Sequence, residues 1–72
     1  MSTSIRVYVN SRALDLPPGA TVGDAIREWD SSQAEAVSRG ERAVTDSRGL
    51  PAALTDIVVP GSILRVVGAR SS

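Results

Sequence analysis

A chain of 72 residues without a single cysteine or histidine has no staple available to it. Disulfides are ruled out, and so is a zinc site built on thiolates or imidazoles. A domain this short buries only about 60% of the surface its unfolded chain exposes. Its stability must therefore come from aliphatic packing, for which a 42% hydrophobic content is sufficient. The same absences narrow the chemistry. Thiol nucleophiles, thiol redox work and imidazole acid/base catalysis lack their side chains. All eight basic residues are arginine, so there is no Schiff-base lysine, no P-loop lysine and no side-chain amine to receive an isopeptide bond. Eight acids balance them without a basic cluster, which gives no electrostatic footprint for nucleic acid. No apolar run reaches the ~20 residues of a membrane span, and the opening Met-Ser-Thr-Ser carries no signal-peptide core. The expectations are a protein that is not an enzyme, binds no cofactor, metal, nucleic acid or membrane, and resides in the cytoplasm.

The apolar pattern changes period along the chain. Ile5, Val7 and Val9 alternate with Arg6 and Tyr8, the pattern of a half-buried strand. Asn10-Ser11 follows, and Asn tolerates the positive φ of a tight hairpin turn. Leu14 and Leu16 flank Asp15 in a second strand, which Pro17-Pro18-Gly19 ends. The hairpin should carry Ile5, Val7, Val9, Leu14 and Leu16 on one face. Thr21-Val22-Gly23-Asp24 reads as a capping box with a short acid, and Val22, Ala25, Ile26 and Trp29 then recur at helical spacing. The spacing predicts a helix over 22–29, in which Gly23 costs about 1 kcal/mol relative to Ala. Asp30-Ser31-Ser32 can cap a second, short helix that Gly40 would end. A strand through 34–37 is the rival, disfavoured because Ala, Gln and Glu are poor strand residues. Arg42–Thr45 reads as a third strand and 46–49 as a turn, with a short strand at Leu50 and an irregular stretch after it. Asp56–Val59 runs into the Pro60-Gly61 turn. The closing strand, 62–67, is apolar in both phases apart from Arg65, as befits a central strand. It should lie parallel to the first, across a long connection.

The whole reads as one α+β domain over 1–72, with an ordered core of about 4–67 and a tail of 68–72. The sheet should have four to five strands, one helix packed across it and a second short helix. This order is that of the β-grasp, or ubiquitin-like, fold. Within it the chain resembles the ThiS/MoaD group of small sulfur carriers. Ile5-Arg6-Val7-Tyr8-Val9-Asn10 is similar to their opening hairpin. Pro18-Gly19-Ala20-Thr21-Val22-Gly23-Asp24-Ala25-Ile26 is similar to their entry into the helix, and Pro60-Gly61-Ser62-Ile63-Leu64-Arg65-Val66-Val67 to their closing strand. These segments cover about half of the chain.

The resemblance implies docking to larger protein partners, among them an adenylating enzyme that activates a C-terminal carboxylate on its way to a thiocarboxylate. Relatives end in Gly-Gly, which lets an extended tail thread a narrow channel. Here the candidate carrier tail is Gly68, Ala69, Arg70, Ser71 and Ser72, with Ser71-Ser72 in the Gly-Gly place. Cleavage after Gly68, a divergent activating enzyme that accepts serine, or a module without carrier chemistry would each accommodate that departure. The candidate partner face is Tyr8, Ile63, Arg65 and Val67, a mixture of aromatic, arginine and aliphatic groups enriched at interfaces. The alternation leaves open which phase of the sheet faces outward. Arg65 is equally readable as a solvated residue whose stem covers its neighbours. Trp29 reads as a core cap rather than a ligand-stacking platform. Asp46-Ser47-Arg48-Gly49 has too few oxygens for calcium and reads as a turn.

Overall fold

The computed structural model describes residues 3–68. Its elements are β1 (Ile5–Val9), β2 (Arg12–Leu16), α1 (Val22–Trp29), α2 (Ser31–Ser38), β3 (Arg42–Thr45) and β4 (Ile63–Gly68). The four strands form one sheet in the order β2-β1-β4-β3. β1 runs antiparallel to β2 and parallel to β4, and β3 runs antiparallel to β4. The result is a small α+β fold with a mixed sheet and two helices, and the closing strand lies inside the sheet beside the first, as its two-phase apolar pattern predicts.

The hairpin depends on two residues. Asn10 and Ser11 both adopt positive φ, at 49° and 71°, so the two-residue loop turns with the twist of the strands. Val9 stands opposite Arg12, Val7 opposite Leu14 and Ile5 opposite Leu16. Asn10 also acts beyond the turn. Its backbone N–H donates to the Leu64 carbonyl at 3.0 Å, and its side-chain oxygen accepts from the Val66 N–H at 3.1 Å. One side chain thus continues the β1–β4 pairing past the end of β1.

α1 begins where the sequence places it. The Thr21 hydroxyl accepts from the Asp24 N–H at 3.2 Å, and the Asp24 carboxylate accepts from the Thr21 N–H at 3.1 Å, a reciprocal cap. Val22, Ala25 and Ile26 are buried against the sheet, with Trp29 half-buried at the margin of the core. Gly23 has a packing reason that its sequence context does not show. Its N–H donates to the Leu54 carbonyl at 2.9 Å, and a Cβ at this position would stand 3.3 Å from that oxygen. Asp30 serves both helices: its N–H donates to the Ile26 carbonyl, and its carboxylate accepts from Ser32 and Gln33 N–H. α2 buries no residue fully and lays Ala34 and Val37 against the core. Gly40, at φ 82°, follows it.

The upper end of the strand count is not reached among the described residues. The stretches at Leu50 and 56–59 each contribute an isolated bridge, Thr45 to Pro51 and Thr21 to Ile57. Segment 56–58 is held against the entry to α1 rather than in the sheet: the Asp56 carbonyl accepts from Val22, and the Val58 N–H donates to Ala20. Val58 is buried as a plug while Ile57 and Val59 stay exposed. The core lies between one face of the sheet (Val7, Val9, Leu16, Val44, Leu64 and Val66) and α1.

Ser11, at φ 71°, is a residue with a Cβ held in the left-handed well. Ser11→Gly should stabilise the domain by about 0.5–1 kcal/mol, because relief of strain exceeds the added entropy of the unfolded chain. Asn10→Gly keeps the turn but deletes the Val66 contact, and should cost about 1 kcal/mol or more. Urea midpoints of the two variants measure both effects, and the opposite signs are the test.

Candidate docking face

Because strand side chains alternate, burial of Leu64 and Val66 forces Ile63, Arg65 and Val67 onto the other face of β4. On β1 the burial of Val7 and Val9 does the same for Arg6 and Tyr8. Tyr8 stands opposite Ile63 in the parallel ladder, and Val67 and Arg65 stand opposite Ala43 and Thr45 of β3. The structure therefore brings Tyr8, Ile63, Arg65 and Val67 together on the face away from α1. It also resolves the phase that the alternation left open. Ile63 is 48% exposed and Val67 40%, while Tyr8 is half-buried. An aliphatic pair flanking an arginine is a surface that a partner can desolvate.

Charge on this face is arranged unevenly. Arg6 stands opposite Asp15 of β2 and reaches its carboxylate at 3.2 Å. Both side chains are exposed, so the pair contributes little stability. Arg65 has no carboxylate partner among the described residues and points from a central strand. Beside it lies a shallow groove of about 390 Å³ lined by Thr45, Arg65, Val67 and the loop 46–49. The same loop borders a second groove of about 290 Å³, against Val59, Pro60 and Ile63.

The loop itself is built on Asp46. Its carboxylate accepts from the N–H groups of Leu50 at 3.0 Å and Arg48 at 2.9 Å, and from the Arg48 guanidinium at 3.2 Å. The Leu50 N–H contributes most to holding this carboxyl below its ordinary value, with the Arg48 contacts adding to it and desolvation opposing. Gly49, at φ 82°, closes the turn. The turn reading of 46–49 stands. Its place beside Arg65 could not be read from the chain, because that depends on the Thr45–Arg65 register. Asn10, Thr45 and Arg48 are the neighbours of this face that sequence reasoning missed. Of these, Asn10 and Arg48 had a visible signal, as turn residues, and Thr45 had none beyond its place in a strand.

Of the candidate tail, Gly68 is the last residue of β4, exposed and opposite Arg42. Ala69, Arg70, Ser71 and Ser72 lie outside the described residues. No helix among the described residues is long and apolar enough to cross a membrane.

A carboxyl held below its ordinary value contributes stability that is fully present above that value and is lost as pH falls through the lowered one. Asp46→Asn should therefore lower stability at neutral pH and reduce the loss seen on acidification below about pH 4. Urea midpoints of both proteins across that range check it, and parallel curves would remove Asp46 from the account. Compared with known proteins, the chain matches no family model, no curated protein and no solved structure.

Proposed function

We propose that this chain is a β-grasp, ubiquitin-like protein similar to the ThiS/MoaD sulfur carriers, which works by docking to larger protein partners through the face bearing Tyr8, Ile63, Arg65 and Val67. The observation that carries the reading is the strand order β2-β1-β4-β3 with β1 and β4 parallel and α1 across one side. That arrangement leaves the opposite side of the sheet open, with two exposed aliphatic residues and an arginine in its centre. On this reading the domain makes no catalytic contribution of its own, and an adenylating enzyme is the partner the resemblance points to.

The tail favours a second reading beside it. With Ser71-Ser72 in the Gly-Gly place, the chain is also readable as an interaction module without a covalent cycle. The two differ in one measurable property. Intact mass of the protein from its native source should show loss of residues 69–72, or replacement of a carboxylate oxygen by sulfur, if the carrier cycle operates. An unmodified Ser72 carboxylate in an otherwise active pathway leaves the module and ends the carrier reading.

Docking itself is tested separately. Ile63→Asp alters a half-exposed side chain on a central strand and should cost about 1 kcal/mol of stability. It should weaken binding to an adenylating-enzyme partner at least tenfold, as loss of a central apolar contact does. Unchanged affinity, measured by calorimetry, would remove the open face from the function.

A further inference from the structure

The sheet has two edges, and the fold treats them differently. The outer side of β3 is covered: Ala52 N–H donates to the Val44 carbonyl and Asp46 N–H to the Leu50 carbonyl, each at 2.9 Å. The outer side of β2 has no such cover among the described residues. The groups it presents follow from β1. Tyr8 and Asn10 donate to the Ser62 and Leu64 carbonyls at 2.8 and 3.0 Å, and the Arg6 carbonyl accepts from Gly61 at 2.7 Å. Even-numbered residues of this strand thus turn their peptide groups toward β4. Ile5, Val7 and Val9 turn theirs toward β2, opposite Leu16, Leu14 and Arg12. It follows that Ala13 and Asp15 point their N–H and C=O groups outward, in one row at the rim. An uncovered row of this kind is a template for another strand.

We propose that this rim pairs antiparallel with the same rim of a second copy, about a two-fold axis at Leu14. The choice of occupant rests on self-complementarity, which differs sharply among the registers available. Centred on Leu14, Ala13 of each copy stands opposite Asp15 of the other. All the outward N–H and C=O groups of both residues then find partners, and half-buried Leu14 meets its own counterpart. No like charges are opposed. Centred on Ala13, Asp15 falls opposite Ser11, which the turn holds at φ 71°. Centred on Asp15, two carboxylates face each other and Ala13 meets Pro17, which has no N–H to give. Only the Leu14 register satisfies the row, and the isologous geometry is the usual one for a pair of identical chains.

Such a pair keeps both α1 helices on one side of a continuous sheet. Both open faces stay free on the other, so the pairing does not depend on the docking reading above. The contact is a single short strand per copy, below the standard interface size, and the association is correspondingly weak.

Sedimentation equilibrium of the full chain from about 10 μM to about 1 mM tests it. The expected result is a reversible shift from monomer to dimer over that range. Ala13→Pro deletes only an outward N–H, a placement edge strands accept, and should raise the dissociation constant at least tenfold while the circular dichroism spectrum is retained. Ala13→Asp keeps the N–H but sets a carboxylate opposite the other copy's Asp15, and should have the same effect. Amide exchange gives an independent readout: Ala13 and Asp15 should become protected with rising concentration, while Val7 and Val9 do not change. A monomer throughout, or a dimer indifferent to both variants, overturns the proposal.

Discussion

The parallel pairing of β1 with β4 is the contact on which the rest of this domain depends. It joins segments more than fifty positions apart, as the Asn10–Val66 bond between residues 56 apart in the chain records. Closing so long a loop is entropically costly, although the cost grows only slowly with length. Within the sheet, only this pairing brings the β1–β2 hairpin and the β3–β4 pair together. Without it, each would be a two-stranded ribbon of marginal stability. The hydrogen bonds from Tyr8, Asn10 and Gly61, together with the Asn10 side chain, are therefore concentrated where the fold is most exposed to failure. A fold whose sheet is sealed by its most distant contact is also expected to fold more slowly than a helical domain of its size.

Most of the architecture was legible because local signals agreed with one another. The alternation through Val9, the positive-φ turn, the Thr21–Asp24 cap and the helical face of Val22, Ala25, Ile26 and Trp29 all point to one arrangement. The region from 46 to 62 was less legible, for a physical reason. Its residues satisfy their backbone groups one at a time, at Ala20, Val22, Gly23 and Val44, and no period records such scattered bonds. Apolar Ile57-Val58-Val59 resembles a strand, yet only Val58 is buried. Gly23 is a related case. Composition marks it as a helix weakness, whereas the approach of the Leu54 carbonyl gives it a purpose.

The candidate face was partly legible. Tyr8, Ile63, Arg65 and Val67 could be grouped from the strands they occupy, but the phase of the sheet is set by which residues α1 covers. That is a tertiary fact. Burial of Leu64 and Val66 settles it, because one slip of register would exchange the two faces entirely. The groove at Arg48 is less accessible still, since it exists only once the β3–β4 register is fixed.

Running two strands in the same direction also gives the molecule a polarity. Tyr8 is level with Ile63, so Ile5 lies near one end of the paired strands and Gly68 near the other, about 25 Å away by strand rise. A bulky fusion attached before Ile5 would therefore sit well clear of anything that grasps the chain beyond Gly68. Any segment leading from Gly68 back to Ile5 would have to run the length of the sheet.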